Sequence, residues 1–204
     1  MEKDKVSEEV IMEVASQVFM EKGMAGARMQ EIADRANINK AMLHYYFRSK
    51  EKLFDEVFKN AFQKFWPSVE AALLSAHKPE EVFQAIIDAY IRVLMESPYL
   101  ANFILNEIQR DPDHLEKLMR ETGLKPKMML AFIESLIENG FLVKVDPREF
   151  MVNVLSLCLF PFAGQALISR LLWDNDSDSY QTFLSSRRDS IMHLIQKTYF
   201  IQQV

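Results

Sequence analysis

The sequence predicts an all-α protein with a small N-terminal unit and a larger C-terminal one. Apolar residues recur at helical spacing along most of the 204 residues, and an alternating strand pattern is confined to Phe141–Val145. Prolines stand where helices are expected to begin, at Pro79, Pro112, Pro126 and Pro147. The length suits one domain or two small ones, and it is sufficient to bury a core.

The composition is that of an ordinary globular protein, with 49% apolar and 26% charged residues and a net charge of −5. A single cysteine, Cys158, excludes an intramolecular disulfide and fits a reducing compartment. The N-terminus lacks the apolar core of a signal peptide, so a cytoplasmic location is expected.

Phe150–Ser169 carries no charge and is long enough to span a membrane. Its polar residues favour a buried helix over that alternative, and no membrane association is expected.

The first helices are short and end at recognisable signals. Ser7 can cap a helix over Glu8–Lys22, which Gly23 ends. A second amphipathic helix is expected over Arg28–Ala36, since its apolar residues Met29, Ile32, Ala33 and Ala36 recur at helical spacing.

A sharp turn separates this helix from the next one. Asn37 tolerates the left-handed conformation that such a turn needs, and Asn39 can cap a helix over Lys40–Phe47. Leu43 and Phe47 lie four residues apart and should face inward. Two helices at such a corner form a helix-turn-helix motif at about 28–47, whose second helix enters the DNA major groove.

A long helix over Lys50–Ala76 should follow, capped by Ser49 and kinked at Pro67. It leaves the motif near Lys59, which divides the chain into domains at 1–59 and 60–204. In the second domain, further helices are expected at Pro79–Met95, from Pro98 to Gln109, from Pro112 to Gly123, from Pro126 to Gly140, from Pro147 to Trp173, and at Tyr180–Phe200.

The N-terminal run carries a set of residues that recur together in one family, namely Phe19, Gly23, Ile32, Ala33, Ala36, Lys40, Leu43, Tyr45, Tyr46, Phe47, Ser49, Lys50 and Glu51. With these residues it resembles the DNA-binding domain of TetR/AcrR-type transcriptional regulators. Three positions depart from the family pattern: Arg28 replaces a frequent Ser or Thr, Asn37 a frequent Gly, and His44 a frequent Tyr. Arg28 thereby removes a helix cap but offers a direct phosphate contact.

The resemblance implies a homodimeric regulator, most simply a repressor, that binds an inverted-repeat operator in double-stranded DNA. A small, mostly apolar effector would bind the C-terminal domain and release the DNA. No nucleophile-and-base pair, phosphate loop or metal-ligand spacing stands out, so no enzyme activity, metal or cofactor is expected. The alternative is a helical interaction protein whose helix-turn-helix motif reads no specific operator.

The motif also carries a local positive charge. Between Arg28 and Lys50 there are five basic residues against two acidic ones. No Arg, Asn or Gln lies between Lys40 and Phe47, so base reading should depend on apolar contacts to thymine methyls and on DNA shape. Expected phosphate contacts are Arg28, Lys40, His44, Tyr46 and Lys50, expected base contacts are Ala41, Met42 and Tyr45, and Gln30 is a further DNA-binding candidate.

Glu107 is the sharpest candidate for effector binding, because its carboxylate falls on the apolar side of a helix and must be paired, protonated or exposed to a pocket. In a pocket, it would favour an effector with a cation or a hydrogen-bond donor. The alternative is a structural ion pair with a residue such as Arg92 or Arg170. The other candidates are aromatic, Met and polar residues that suit an adaptable pocket or simply the core: Phe65, Trp66, Tyr90, Phe103, Met128, Phe132, Phe162 and Gln165.

The last two long helices carry more apolar surface than one small monomer can easily bury. Pairing with a second copy would form a four-helix interface, which is also the arrangement that the resemblance implies. The candidate interface residues are Ala163, Leu167, Phe183, Arg187, Ile191, Leu194 and Thr198.

Overall fold

The computed structural model describes residues 2–62, 65–76 and 78–201, and of residues 2–7, 68 and 73–75 only the backbone. The described residues form helices and one isolated β-bridge, so the all-α prediction is confirmed. One of the four histidines, His77, lies outside the described residues. The helices are α1 Glu2–Gly26, α2 Met29–Arg35, α3 Lys40–Phe47, α4 Lys50–Phe62, α5 Phe65–Ser75, α6 Pro79–Glu96, α7 Tyr99–Arg110, α8 Pro112–Glu121, α9 Pro126–Glu138, α10 Pro147–Ala163, α11 Gln165–Leu172 and α12 Ser177–Tyr199.

The helices group into two compact units. Unit 1 comprises Met1–Gln63 and Ser97–Thr122, and unit 2 comprises Lys64–Glu96 and Gly123–Val204. The N-terminal helices therefore pack with α7 and α8, which the sequence analysis assigned to the C-terminal domain. The functional boundary near Lys59 stays a prediction.

In unit 1, α1 is longer than the sequence predicted, because it begins at Glu2 and not at Glu8. Gly23 interrupts it with φ 66° and ψ 174°, a conformation that glycine adopts without steric cost. Phe54 of α4 joins the helices, since its ring centroid lies 4.8 Å from that of Phe19 and 4.2 Å from that of Phe103. The rest of this core includes Ile11, Ala15, Val18, Ile32, Leu43, Leu53, Phe58 and Leu100.

The predicted kinked helix over Lys50–Ala76 includes residues 63 and 64, which lie outside the described residues, so its continuity stays a prediction. The described parts are α4, which ends at Phe62, and α5, which begins at Phe65 and contains Pro67. The two helices belong to different units.

In unit 2, Phe83 of α6 is the centre of an aromatic cluster. Its ring centroid lies 5.1 Å from that of Phe150, 5.8 Å from that of Phe132 and 5.9 Å from that of Phe200. The segment after α9 pairs with the end of α12 through the N–H of Val143, which donates to the carbonyl of Tyr199 at 2.8 Å.

The predicted continuous helix from Pro147 to Trp173 was wrong, because α10 and α11 meet at Gly164 with a bend of 78°. Pro161 has no N–H, so the carbonyl of Leu157 loses its helical donor. Arg187 of α12 donates to that carbonyl from Nη2 at 3.2 Å. The hydroxyl of Tyr180 donates to the carbonyl of Pro161 at 2.6 Å. Side chains of α12 therefore satisfy carbonyl groups near the bend.

Among the described residues, no single helix combines the length and the apolar character needed to cross a membrane. Together α10 and α11 meet that criterion of length and composition, but they are sharply bent. The expected burial holds only for part of this stretch: α10 buries residues such as Phe150, Val154 and Cys158, whereas α11 has no buried residue. The exposed large apolar side chains of the two helices are Val152, Leu155, Phe160, Leu167, Leu171 and Leu172.

Candidate DNA-binding site

The two helices α2 and α3 and the turn between them form the predicted corner. Asn37 has φ 54°, in the left-handed region that was expected of it. The side-chain oxygen of Asn39 accepts a hydrogen bond from the N–H of Met42 at 2.7 Å and so caps α3. The local chemistry of the turn is confirmed at both asparagines.

The two faces of α3 are clearly different. Leu43 is completely buried and Phe47 is 5% exposed, so the predicted inward pair is confirmed. Tyr45 is 82% exposed, which makes it the most prominent apolar side chain of the helix. The outward face also carries Lys40, Ala41, Met42 and His44.

The beginning of α4 is attached to the segment before α2. The hydroxyl of Ser49 accepts from the N–H of Lys52 at 3.2 Å, which confirms the predicted cap. The ammonium of Lys50 donates to the carbonyl of Ala27 at 3.3 Å. The contact joins the first residue of α4 to the segment between α1 and α2.

Three basic residues stand at the N-termini of three successive helices. Arg28 is the N-cap residue of α2 and makes no side-chain capping bond, Lys40 is the first residue of α3, and Lys50 is the first residue of α4. No carboxylate of the described residues lies within ion-pair distance of them. Helix N-termini carry partial positive charge and unpaired N–H groups, so they favour anions.

The acidic residues of the motif are engaged on its other side. Glu31 pairs with Lys22 at 2.7 Å and with Arg35 at 2.8 Å, and Arg35 also pairs with Glu21 at 2.7 Å. Asp34 accepts from the side chain of Gln30 at 2.7 Å. Of the five basic residues counted in the sequence, Arg35 is thus neutralised by ion pairs between α1 and α2.

His44 has a local partner. Its Nδ1 lies 3.0 Å from the carbonyl oxygen of Arg48, so Nδ1 carries the proton and donates. Nε2 can then donate to a phosphate only when the ring is doubly protonated. Tyr46 is half-buried, with its ring centroid 5.6 Å from that of Tyr45 and 6.2 Å from that of Phe47.

The predicted effector-binding residues do not all belong to one unit. Phe103 and Glu107 lie in unit 1, and the other seven candidates lie in unit 2. Phe65 contacts Trp66 and Tyr90, with ring centroids 4.8 and 6.0 Å apart. The indole N–H of Trp66 is buried and has no hydrogen-bond partner among the described residues. Burial raises the pKa of the Tyr90 hydroxyl well above its ordinary value.

Glu107 is 3% exposed and is paired with neighbours that the sequence analysis did not name. Arg110 donates to it from Nε and Nη2 at 2.8 and 2.9 Å, and His114 lies 3.1 Å away through Nδ1. The predicted alternative was a structural ion pair with a residue such as Arg92 or Arg170, whereas the arginine that pairs with Glu107 is Arg110. Burial alone would raise the pKa of Glu107, but hydrogen bonds from Arg110 and His114 outweigh burial and lower it.

The clefts described in the structure are lined mainly by charged residues. One of about 820 Å³ lies in unit 1 and another of about 620 Å³ lies in unit 2. Neither contains any of the nine predicted effector-binding residues. The first is bordered by Glu8, Glu9, Glu13, Glu56, Lys59 and Glu121, and the second by Asp88, Arg92, Arg188 and Asp189.

The predicted dimer residues differ in how far their side chains are exposed. Leu167 is 63% exposed and Leu194 is 48% exposed, and Thr198 is exposed as well. Ile191 is completely buried within its own chain. Ala163, Phe183 and Arg187 are half-buried.

An exposed helix set in a sharp helical corner, with cations at three helix N-termini, defines a helix-turn-helix DNA-binding protein.

The model for "Bacterial regulatory proteins, tetR family" matches residues 11–57, from α1 into α4. The HTH-type transcriptional repressor NicS of Pseudomonas putida is 33% identical over 171 residues, which cover 79% of this chain and 78% of NicS. The HTH-type transcriptional regulator RutR of Escherichia coli is 26% identical over 149 residues, or 71% of this chain and 68% of RutR.

The structure of the ketosteroid transcriptional regulator KstR2 of Mycobacterium tuberculosis matches with a TM-score of 0.69 at 17% identity, over 96% of this chain and 95% of KstR2. At that identity the likeness concerns the fold alone. The chain belongs to the TetR family of transcriptional regulators and carries a DNA-binding helix-turn-helix motif. Its relatives are regulators of transcription and not enzymes.

Proposed function

We propose that the protein is a repressor that binds an inverted-repeat operator as a homodimer and leaves DNA when a small, mostly apolar effector binds. In this proposal residues 1–59 form the DNA-binding domain, and residues 60–204 bind the effector and dimerise. The observation that carries the DNA-binding part is that each of three successive helix N-termini has a cation without a described carboxylate partner. The repressor role is supported by the 33% identity to a protein named as a repressor.

Phosphate contacts are assigned to Arg28, Lys40 and Lys50, whose charges have no described carboxylate partner. His44 and Tyr46 would add contacts beside them. Base edges would meet the exposed side chains of α3, which are Ala41, Met42 and Tyr45, while Gln30 would approach the backbone. These base-reading side chains are mostly apolar, so thymine methyl groups and DNA shape should dominate specificity.

The exposed apolar side of α10–α12 supports dimerisation. Leu167, Leu171 and Leu172 are 63–72% exposed, and adjacent large apolar side chains are rare on the surface of a monomer. A second copy related by two-fold symmetry would cover them. The same symmetry repeats the reading motif in inverted orientation, which is why the operator should be an inverted repeat.

The effector is assigned to unit 2, at the cluster of Phe65, Trp66 and Tyr90. The indole N–H of Trp66 is a buried donor without a described partner, and a ligand acceptor would satisfy it. The carboxylate of Glu107 is already paired, so the effector should carry a hydrogen-bond acceptor and not a cation. Release from DNA requires that the effector bind the non-DNA form more tightly. Mass spectrometry of a small molecule that copurifies with the protein would identify it.

A gel shift on the DNA upstream of the protein's own gene, with unrelated DNA as competitor, tests the proposal. Specific retention is expected, and Lys40→Ala should weaken it. Lys144→Ala is the control, because Lys144 is also exposed but lies outside the motif. Equal displacement by unrelated DNA would favour a helical interaction protein whose motif reads no operator.

A further inference from the structure

His114 of α8 lies between two carboxylates that belong to two other helices of unit 1. Its Nε2 is 3.1 Å from Oδ1 of Asp55 on α4, and its Nδ1 is 3.1 Å from Oε2 of Glu107 on α7. The side chains of Asp55 and Glu107 are 10% and 3% exposed, whereas that of His114 is 28% exposed. One imidazole ring therefore connects three helices while water still reaches it.

The protonation state of the ring decides how many of the two contacts can be hydrogen bonds. A carboxylate only accepts hydrogen bonds, and a neutral imidazole has one N–H and one lone pair. Both contacts can be hydrogen bonds only when both nitrogens of His114 are protonated. After loss of one proton, a lone pair would face one of the carboxylates, and a buried acceptor would lose its donor.

Each of the two carboxylates also has a second basic neighbour. On α7, Arg110 donates twice to Glu107, so that carboxylate keeps a strong partner. On α4, Lys52 lies 3.7 Å from Asp55 and is itself 71% exposed. The other charged groups near the cluster are Glu51 of α4, which acts on Arg110, and Asp111, the N-cap residue of α8, whose side chain accepts from the backbone N–H of His114 at 3.0 Å.

We propose that His114 is a proton-dependent link that holds α4, α7 and α8 together when charged and loses one of its two carboxylate contacts when neutral. The helix that it holds begins at Lys50, one of the assigned phosphate contacts, and follows the reading helix directly. Loss of the proton therefore loosens the support of the DNA-binding motif. The inference concerns the mechanics of unit 1, and it depends neither on the effector nor on the operator.

The direction of the pH effect follows from the same contacts. The hydrogen bond with Glu107, and then the charge of Asp55, outweigh burial and raise the pKa of His114 above its ordinary value of 6.5. A group whose pKa is raised on folding stabilises the fold below its unfolded pKa, and it loses that contribution as the pH rises through the folded pKa. The contribution of the link should thus be present below pH 6.5 and be lost as the pH rises through the folded pKa.

Two measurements on the full chain test the link. NMR titration of ¹³C-labelled histidine should give His114 a midpoint above 6.5, and Asp55→Asn should lower that midpoint. His114→Gln should lower the melting temperature by several degrees at pH 6 and by less than half as much at pH 9. His193→Gln is the matched control, since His193 is exposed on α12 with no described carboxylate partner, and its effect should not change with pH.

Two results would overturn the link: a His114 midpoint at or below 6.5, or a loss of melting temperature in His114→Gln that is the same at both pH values. If His114→Gln does not fold, the titration of His114 in the wild type and in Asp55→Asn decides alone. Neither measurement uses DNA, so a failure here is separate from a failure of the repressor proposal.

Discussion

The ammonium nitrogen of Lys50 lies 3.3 Å from the carbonyl oxygen of Ala27, and this contact joins the start of α4 to a buried residue between α1 and α2. An ammonium group has three donors, so two remain for other acceptors. Lys50 thus combines a local structural contact with a charge that is available to a phosphate.

Lys50→Ala should weaken binding to all DNA sequences alike, because a phosphate contact carries no sequence information. The slope of log K against log salt should flatten by about one unit, the value for one lost phosphate contact. Fluorescence anisotropy over a series of salt concentrations measures both quantities, with Lys144→Ala as the control. A changed base preference with an unchanged salt slope would show that Lys50 does not contact the backbone.

Tyr45→Ala should instead reduce base discrimination and leave the salt dependence of binding unchanged. Tyr45 is 82% exposed, so its removal should leave the melting temperature unchanged. If Tyr45 meets a base edge, discrimination at that position should fall by about 1 kcal/mol, roughly fivefold, while the salt slope stays the same. Affinities for a set of single-base operator variants provide the readout. A uniform loss over all variants would assign Tyr45 to the DNA backbone.

The dimer interface can be tested because neighbouring residues of α12 differ in burial. Leu194→Asp places a charge on a residue that is 48% exposed, and it should give folded monomers in sedimentation. Ile191→Asp places the charge inside the chain and should unfold it, at a cost on the order of several kcal/mol. A folded Leu194→Asp, Leu167→Asp double variant that remains dimeric would exclude this surface.

Glu107→Gln keeps the shape of the side chain and removes the charge that Arg110 and His114 share. The loss of charged hydrogen bonds should cost about 1–3 kcal/mol, which lowers the melting temperature by roughly 2–12 °C for a chain of this length. The pKa of Glu107 is lowered, so its contribution is present above pH 4.5 and is lost as the pH falls through the folded pKa. The deficit of the variant should therefore shrink in acid. An unchanged melting temperature with a selective loss of effector response would restore the pocket role of Glu107.

Local rules predicted the motif well because its structure depends on neighbouring residues. The cap at Asn39, the left-handed turn at Asn37 and the buried pair of Leu43 and Phe47 all follow from spacing and side-chain chemistry. The proline-marked starts of the later helices followed in the same way.

The wrong predictions concern interactions between residues distant in the chain. The bend at Gly164 depends on the side chains of Tyr180 and Arg187, which satisfy carbonyls of α10. The partners of Glu107 depend on how α7 packs against α8. Asp55 was missed, although a carboxylate among the buried apolar residues of α4 was a signal available in the sequence.

The central claim is that two copies of this chain read an inverted repeat through α3. Selection from a random double-stranded DNA library with the full-length protein, followed by sequencing and anisotropy, tests it most directly. The predicted result is an enriched motif with two inverted half-sites whose centres are a whole number of helical turns apart, each about 10 base pairs. It should bind at least about a thousandfold more tightly than unrelated DNA. Absence of enrichment, or enrichment of a single site that binds one copy of the chain, would contradict the claim.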